Sequence, residues 1–439
     1  MLNRRHFLTL LLALPLLLSG CRIETINYFP PKAAHVRFVN VVPNATALNV
    51  TVDGTATWSS QGFEAMTPYM DFTNETHNFT TTVAGATTTL TQANFNLAGN
   101  SFYTLIAFGP AHAAGLVLLS DDTVTPTAGK LLLRVANMSG SVGPIDIYLT
   151  TPGADLTNAT PNIGGIFYGG ATGFIQVSSG NQQLRITQSG TKNVVYDSGA
   201  RNFSDNTATD AIVYTRTGGP LVNVALSDIN GAGQNVIVNS TMTELKVVNA
   251  ALQTGAVNQL LDGTVLVPNL AYPTAFSGTG FPNVFGYNII SPGSHTITFE
   301  AAAAPGATIA SVTTTLAAAS DTTVFVTGFA GATTAVVLKD QNFSVINNDS
   351  RLRLVNASPD TPAVDVSLND TKQVSALAFP TASGYLQQGG GAYKVTFTNP
   401  ATGAVVLNLD GVVLGSGTNT TIYLVGAAGQ FGSIVTRDY

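Results

Sequence analysis

The sequence predicts an all-β protein with four tandem antiparallel β-sandwich domains, immunoglobulin-like or prealbumin-like, after a lipoprotein signal peptide. Three observations predict this class. Thr- and Val-rich segments alternate with Gly and Asn turns, which favours short strands over helices. One opening pattern occurs four times, and the first 20 residues have the composition of an export signal. The chain of 439 residues is long enough for several β domains.

The N-terminus has the parts of a signal peptide. Arg4 and Arg5 precede an apolar run from Phe7 to Leu18, which is too short to span a bilayer well, and Leu18-Ser19-Gly20-Cys21 follows. That ending resembles the lipobox of bacterial lipoproteins. The resemblance implies cleavage of residues 1–20, diacylglycerol on the sulfur of Cys21 and an acyl chain such as palmitate on the new amine. The alternative is an uncleaved membrane anchor with a chance cysteine.

Two weaker signals concern the export route and the destination. Residues 3–8 resemble the twin-arginine motif but lack the Ser or Thr that usually precedes the arginines, so Sec export stays open. Arg22 follows Cys21, where the inner-membrane retention signal would be Asp. We therefore expect an exported protein anchored in the membrane through Cys21, in the outer membrane if the cell has two. Residues 21–33, which include Pro30 and Pro31, predict a lipidated extended tether.

The rest of the chain repeats one pattern, which opens with alternating apolar and basic residues and ends in asparagine. The four openings are Val36–Asn40, Leu133–Asn137, Leu245–Asn249 and Leu352–Asn356. The alternation predicts a half-buried strand whose cation reaches solvent, and we expect the asparagine to end that strand in left-handed backbone. The predicted boundaries are 34–124, 129–232, 242–343 and 349–439, here called repeats 1 to 4.

Three further positions recur in every repeat. A polar residue interrupts an apolar strand nine residues after the asparagine: Asn49, Asp146, Asn258 and Asp365. An aromatic residue follows later: Tyr69, Phe174, Tyr287 and Tyr385. Each repeat closes on an aspartate: Asp121, Asp228, Asp340 and Asp438.

These polar positions predict structural roles. We expect the polar strand residue to accept backbone N–H groups, with calcium ligation by Asp146 and Asp365 as the alternative. First and last strands often lie side by side in a sandwich. We therefore expect the opening cation and the closing aspartate to lie within ion-pair or water-bridged distance in at least three copies. An exposed pair of this kind contributes about 0.2–1 kcal/mol, and the alternative is that both are solvated strand-end charges.

The opening patterns, together with the run from Ser358 to Val366, resemble the bacterial domain of unknown function 4397 family. Copy four matches best, and copies one and three carry Asn instead of Asp at the polar strand position. The resemblance covers nearly everything after residue 34. It implies an exported β-sandwich module, often in tandem and lipid-anchored, without an established biochemical role.

The composition argues against catalysis and nucleic-acid binding. Charged residues make up 10% of the chain and the formal net charge is −6, so no basic stripe is available for nucleic acid. The single cysteine, Cys21, excludes an intramolecular disulfide. His35, His77, His112 and His295 lack the spacing of a triad or a metal site. We predict no enzymatic activity, no metal and no cofactor.

Aromatic residues in loops are the candidate ligand contacts. Trp58 lies in a Ser/Gly-flanked loop, and Tyr272 and Phe281 belong to a Gly/Pro-spaced insertion. Exposed aromatic rings stack on sugars or anchor protein partners, whereas core packing is the alternative for each residue. We predict a noncatalytic, membrane-anchored cell-envelope lipoprotein that acts as a binding, adhesion or scaffolding module. The alternatives are a carbohydrate-binding or degenerate carbohydrate-active protein and a structural subunit of an envelope or extracellular assembly.

Overall fold

The computed structural model describes residues 32–43, 45, 47–215, 219–229, 235–275, 286–342 and 349–438. Within these ranges the chain forms 36 strands in eight sheets and one short 3-10 helix, and the all-β prediction is confirmed. No helix among the described residues has the length and apolar character to cross a membrane. The predicted signal peptide, Cys21 and Phe281 lie outside the described residues.

Repeat 1 has eight strands and the 3-10 helix Ala111–Ala113. The strands are β1 (Ala34–Val41), β2 (Leu48–Val52), β3 (Thr55–Gln61), β4 (Met70–Phe72), β5 (Thr76–Val83), β6 (Thr89–Asn96), β7 (Phe102–Phe108) and β8 (Gly115–Ser120). One sheet has the order β4-β1-β7-β8 and the other β3-β2-β5-β6.

Repeat 2 has ten strands. They are β9 (Lys130–Met138), β10 (Ile145–Thr150), β11 (Ile163–Ile166), β12 (Gly170–Ala171), β13 (Ile175–Ser178), β14 (Gly180–Gln188), β15 (Val194–Phe203), β16 (Ala208–Tyr214), β17 (Asn223–Asp228) and β18 (Val236–Val238). The sheets are β12-β9-β16-β17-β18, with β13 also on β9, and β11-β10-β14-β15. Strand β18 lies beyond the predicted end at residue 232 and continues the sheet.

Repeat 3 has nine strands. They are β19 (Thr243–Leu252), β20 (Val257–Leu261), β21 (Thr264–Leu270), β22 (Thr274–Ala275), β23 (Tyr287–Ile290), β24 (Gly293–Ala301), β25 (Thr308–Leu316), β26 (Asp321–Phe329) and β27 (Ala332–Lys339). The sheets are β22-β19-β26-β27, with β23 also on β19, and β21-β20-β24-β25.

Repeat 4 also has nine strands. They are β28 (Asp349–Asn356), β29 (Ala363–Leu368), β30 (Thr371–Ala378), β31 (Thr381–Ala382), β32 (Leu386–Gly389), β33 (Gly391–Thr398), β34 (Val405–Leu414), β35 (Asn419–Ala427) and β36 (Gln430–Arg437). The sheets are β31-β28-β35-β36, with β32 also on β28, and β30-β29-β33-β34.

One parallel strand pair recurs in every repeat. The opening strand pairs in parallel with the penultimate long strand of its sheet, as β1 with β7, β9 with β16, β19 with β26 and β28 with β35. In repeat 1 the last strand, β8, pairs with β7 rather than with β1. In every repeat one strand therefore separates the opening strand from the strand at the closing aspartate, and the expectation that they are neighbours is wrong.

Each repeat holds its two sheets together with one hydrophobic cluster. In repeat 1, Phe38 and Leu105 from one sheet pack in the same cluster as Leu48 and Phe79 from the other. Comparable clusters join the sheets of repeats 2, 3 and 4. Burial of each such side chain contributes about 1.5–3 kcal/mol relative to exposure, so these clusters stabilise each repeat.

Two further apolar clusters join neighbouring repeats. One combines Val39, Val41 and Ile106 of repeat 1 with residues of repeat 2 that include Met138 and Tyr214. The other combines residues of repeats 3 and 4: Val248, Ala250, Phe325, Val355, Ala357, Tyr423, Val425 and Ile434. Repeats 1 and 2 therefore form one pair, and repeats 3 and 4 form a second. The opening strands are apolar on both faces because one face meets the repeat's own core and the other meets the neighbouring repeat.

Candidate functional site: buried ion clusters and an aromatic pocket

The four opening cations lie between paired repeats, and the prediction that they reach solvent is wrong. Arg37, Arg134, Lys246 and Arg353 have exposed fractions of 2, 4, 1 and 2%. Each lies on the face of its opening strand that packs against the neighbouring repeat. The sequence pattern of alternating apolar and basic residues is the same whether that face meets water or another repeat.

The first ion cluster joins repeats 1 and 2. Arg134 donates from Nε to Oδ1 of Asp210 at 2.6 Å and from Nη2 to Oδ2 at 2.8 Å. Its Nη2 also lies 2.5 Å from Oδ1 of Asp121 in repeat 1. Arg37 lies 3.9 Å from Asp121 and 3.5 Å from Asp210, and it donates to the Asp228 carbonyl at 3.0 Å. Guanidinium groups from both repeats therefore share the same carboxylates.

Burial and charge compete at these groups. Burial raises the pKa of Asp210, and the Arg134 guanidinium opposes that rise without cancelling it. Burial lowers the pKa of Arg134, but the carboxylates of Asp210 and Asp121 outweigh it and raise that pKa overall. The cluster therefore holds Arg134 as a cation in a site that water does not reach.

The second ion cluster joins repeats 3 and 4 in the same way. Lys246 Nζ lies 2.7 Å from Oδ1 of Asp438, and Arg353 Nη2 lies 2.7 Å from Oδ1 of Asp340. Arg353 also lies 3.7 Å from Oδ2 of Asp438. Burial raises the pKa of Asp438, but the nearby charges of Lys246 and Arg353 outweigh it, and the pKa is lowered overall. The Asp438 carboxylate is therefore ionised where the two repeats meet.

The recurring aromatic residue covers the cation in every repeat. The distances from the charged group to the ring centroid are 5.2 Å for Arg37 over Tyr69, 4.5 Å for Arg134 over Phe174, 4.3 Å for Lys246 over Tyr287 and 4.9 Å for Arg353 over Tyr385. Such cation–π contacts contribute about 0.5–2 kcal/mol each, more when water is excluded. The aromatic position is therefore part of the ion cluster.

The expected pairing of cation and closing aspartate has a different geometry from the one predicted. A cation and the closing aspartate of its own repeat lie within 4.0 Å of each other in two cases, Arg37–Asp121 and Arg353–Asp438. Arg134 and Lys246 instead reach the closing aspartate of the neighbouring repeat. Two same-copy ion pairs are therefore described where at least three were predicted, and both are buried within the repeat interfaces.

The opening asparagines fasten the turns around each opening strand. Asn356 Oδ1 accepts from the Ser358 N–H at 3.2 Å, and Nδ2 donates to the carbonyls of Thr361 at 2.8 Å and Leu377 at 3.1 Å. Asn137 and Asn249 make the equivalent contacts. Asn40 accepts from the Val42 N–H and donates to the carbonyls of Gln61 and Gly62. All four asparagines are fully buried, and none has a positive φ. The prediction of left-handed backbone is wrong because the side chain, not the backbone conformation, organises the turn.

The polar strand residues have the structural role predicted for them. Asn49, Asp146, Asn258 and Asp365 each accept a backbone N–H at 2.7–2.8 Å. The donors are Ser60, Gly165, Asn269 and Ala376, whose φ angles are 53, 70, 52 and 49°. The side chain therefore stabilises a strained bulge in the adjacent strand. Among the described residues, no group of three or more His, Cys, Asp or Glu side chains could hold a metal ion.

Two histidines stabilise equivalent hairpins. His77 Nδ1 lies 2.6 Å from Oδ2 of Asp53 and its Nε2 lies 2.9 Å from the Thr73 carbonyl. His295 makes the same contacts with Asp262 and the Ser291 carbonyl. Burial lowers the pKa of His77, but the hydrogen bonds to Asp53 and the Thr73 carbonyl outweigh it and raise that pKa. Both ring nitrogens of His77 therefore face oxygen acceptors, an arrangement that favours the protonated imidazole.

A pocket of about 530 Å³ opens where repeats 1, 2 and 4 meet. Its lining includes Pro110, His112, Ser141, Tyr168, Thr215 and Thr418. Next to Tyr168, the Phe167 side chain is 70% exposed, and Tyr168 itself is 43% exposed. These two rings form the most exposed aromatic surface among the described residues.

The predicted ligand contacts lie elsewhere. Trp58 is 5% exposed and stacks on Phe38 at a centroid distance of 5.8 Å, so the expectation of an exposed platform is wrong and core packing is confirmed. Tyr272 is half-buried, and Phe281 is outside the described residues. The missed aromatic pair had a sequence signal: Phe167-Tyr168-Gly169-Gly170 places two adjacent aromatic residues before a turn, and neighbouring residues cannot both face one core.

These contacts define a repetitive all-β protein whose repeats are joined in pairs by buried ions. The chain belongs to the family of the domain of unknown function DUF4397, whose model matches residues 34–148, 243–367 and 350–439. No curated protein matches the chain. The matches begin at or within β1, β19 and β28, the opening strands of repeats 1, 3 and 4.

Several solved structures show weak similarity. Family 41 carbohydrate-binding modules from streptococcal virulence factors match at 13% identity and a TM-score of 0.18, over 43% of this chain and 96% of theirs. CBMbc (family CBM26) from Eubacterium rectale Amy13K, in complex with maltoheptaose, matches at 10% identity and a TM-score of 0.15, over 46% of this chain and 98% of that one. The Bacillus anthracis TIE protein matches at 8% identity and a TM-score of 0.13, over 90% of this chain and 68% of that one. Similarities this weak carry no argument about the ligand of this chain.

Proposed function

We propose that this chain is a noncatalytic cell-envelope lipoprotein whose four sandwich modules form a stiff binding or scaffolding arm. One observation carries the proposal: buried ion clusters and apolar clusters join the repeats in two pairs. An arm made of two such pairs has fewer flexible joints than four independent modules, which suits a spacer that presents a surface away from a membrane.

The recurring ionisable groups support a noncatalytic role. The opening cations are buried, and Arg134, Lys246 and Arg353 pair with the closing aspartate of the neighbouring repeat. The His77 and His295 imidazoles are bound to aspartates and backbone carbonyls in hairpins. Each of these groups already has a structural partner, whereas a catalytic group needs a free position for substrate.

The anchor in this proposal is Cys21, and the outer membrane is its destination in a cell with two membranes. Two or three acyl chains give stable attachment, whereas a single chain binds only marginally. Residues 21–33 would then separate repeat 1 from the membrane surface.

Carbohydrate binding is the second candidate function. The exposed rings of Phe167 and Tyr168 beside the pocket favour it, because aromatic rings and hydroxyl groups are the side chains that hold small polar ligands in pockets. A binding module and a scaffold are compatible roles for one stiff arm.

The anchoring part of the proposal is tested in cells with Cys21→Ser and the matched control Ser19→Ala. Wild-type and Ser19→Ala proteins should lose residues 1–20, gain acyl mass and remain with membranes. Cys21→Ser should remain an uncleaved precursor without acyl mass. A Cys21→Ser protein that is cleaved normally and equally membrane-bound would contradict the proposal. Affinity capture of the intact wild-type protein from envelope extracts would then identify what the arm holds.

A further inference from the structure

We propose that the pocket between repeats 1, 2 and 4 binds the end of a neutral glycan. This inference rests on the proposed binding function and adds a site and a ligand class to it. Four features of the pocket point to this ligand: the exposed Tyr168 ring, the hydroxyl groups, the charge of the lining and the wall formed by repeat 4.

The aromatic side of the pocket is rigid. The Tyr168 ring packs edge-to-face on Phe108 of repeat 1 at a centroid distance of 5.5 Å. Gly109 leaves room for it, since a Cβ at Gly109 would lie 2.6 Å from the Tyr168 hydroxyl. Tyr168 itself is 43% exposed. Fixed, exposed rings bind the apolar face of a sugar at little entropic cost.

Hydroxyl groups form the polar side of the pocket. Ser141 and Thr215 line it, and their hydroxyl oxygens lie 2.9 Å apart. Ser139, which is fully buried behind them, is hydrogen-bonded to both. Hydroxyl groups both donate and accept hydrogen bonds. This network can therefore accept a hydrogen bond from a sugar hydroxyl group or donate one to it.

The charge of the lining selects a neutral ligand. None of the described residues that line the pocket is Asp, Glu, Lys or Arg. A charged ligand would lose water there without gaining a counter-charge. A purely apolar ligand would leave unused the further hydrogen-bonding capacity of the Ser141 and Thr215 hydroxyl groups and of the His112 ring. A neutral sugar satisfies both conditions because it has apolar faces and a rim of hydroxyl groups.

Repeat 4 supplies the third wall of the pocket. Gly417 lies so close to His112 that a Cβ there would be 2.7 Å from Nδ1. The pocket volume of about 530 Å³ falls within the range of about 300–1,000 Å³ for small-ligand sites. Because the pocket needs repeat 4 against repeats 1 and 2, a bound glycan would also hold the two repeat pairs together.

The test is calorimetric titration of the full chain with neutral oligosaccharides of glucose, mannose, xylose, galactose and N-acetylglucosamine. Polygalacturonate serves as the charged probe. We expect at least one neutral oligosaccharide to bind at one site per chain. Tyr168→Ala, which removes the aromatic ring of the pocket lining, should weaken that binding about tenfold or more, which corresponds to about 1.4 kcal/mol. Phe102→Ala is the matched control, because Phe102 is 39% exposed and lies outside the pocket lining, and it should leave the affinity unchanged.

His112→Ala is a second variant, which removes a side chain that repeat 1 contributes to the pocket. It should also weaken binding. Circular dichroism and the melting temperature show whether each variant keeps its fold. The inference is overturned if no neutral oligosaccharide binds, if polygalacturonate alone binds, or if Tyr168→Ala and His112→Ala bind as wild type does. None of these outcomes would change the behaviour of Cys21→Ser, so failure of the glycan site and failure of the anchoring proposal are distinguishable.

Discussion

Lys246 of repeat 3 donates a hydrogen bond from Nζ to Oδ1 of Asp438, over 2.7 Å in space and 192 positions in sequence. The Lys246 and Asp438 side chains are 1 and 0% exposed. In the opposite direction, Arg353 of repeat 4 pairs with Asp340 of repeat 3, and Arg134 of repeat 2 pairs in the equivalent way with Asp121 of repeat 1. Such pairs cost desolvation energy, and loss of one partner leaves an uncompensated buried charge, at a cost of about 3–5 kcal/mol. The aspartate that closes one repeat therefore stabilises its union with the neighbour.

The buried asparagines should be among the most sensitive positions in the chain. Asn356→Ala leaves the Ser358 N–H and the carbonyls of Thr361 and Leu377 without their partner. We expect repeat 4 to lose about 3 kcal/mol of unfolding free energy, since each unsatisfied buried group costs about 1–3 kcal/mol. Hydrogen exchange in β28 and β35 measures the loss. Asn94→Ala, at an exposed position of β6, is the control, and an equal effect of the two changes would contradict the prediction.

The His77–Asp53 pair should make stability depend on pH. The pKa of His77 is raised in the folded chain, so the folded state keeps its proton to a higher pH than the unfolded state, whose pKa is about 6.5. The pair's stabilisation is therefore complete below about pH 6.5 and is lost as the pH rises through the folded pKa. The difference in melting temperature between wild type and His77→Gln should shrink between about pH 6 and pH 9.

Asp53→Asn tests the origin of that dependence. The pKa of Asp53 is lowered by the Asn78 N–H and by His77. Without the carboxylate, the imidazole should lose the larger part of its preference for the charged state. The further effect of His77→Gln should then vary little with pH in the Asp53→Asn background. If the difference between wild type and His77→Gln is the same at both ends of the pH range, the imidazole is not held as a cation.

A fragment of residues 349–438 should not behave as the independent module that its sequence suggests. Removal of repeat 3 uncovers Val355, Tyr423 and Val425, which are at most 1% exposed in the full chain, and removes Lys246 from Asp438. We expect the fragment to self-associate through this face or to melt well below the chain. Analytical ultracentrifugation distinguishes the outcomes, with residues 242–439 as a monomeric control. A stable monomeric repeat 4 would argue against pairing.

The repeats could be predicted from the sequence, whereas their pairing could not. The opening strands and the recurring polar and aromatic residues are visible because they recur at fixed spacing. The face of β1 that carries Arg37 also carries Val39 and Val41. These two apolar residues were the signal in the sequence that this face packs against another repeat. That sign is weak, because an edge exposed to water tolerates single apolar residues.

The candidate site was harder to predict than the fold. From the sequence alone, Trp58 could pack in the core or form an exposed binding platform. Its stacking on Phe38 places it in the core. The pocket combines His112, Tyr168 and Thr418 from three repeats. Such a combination depends on how the repeats pack, which no local pattern encodes.

The paired arrangement is tested most directly by a double-mutant cycle on Lys246→Met and Asp438→Asn in the full chain. The free energy of unfolding of repeats 3 and 4 is taken from hydrogen exchange in β19 and β28. The control cycle combines Asp438→Asn with Lys394→Met, because Lys394 pairs with Asp370 at the surface and should be additive with Asp438 within about 0.5 kcal/mol. For Lys246 and Asp438, our account predicts a coupling free energy of about 1–3 kcal/mol. Additivity as close as in the control cycle would show that the two repeats are not joined through this pair, and would contradict the account.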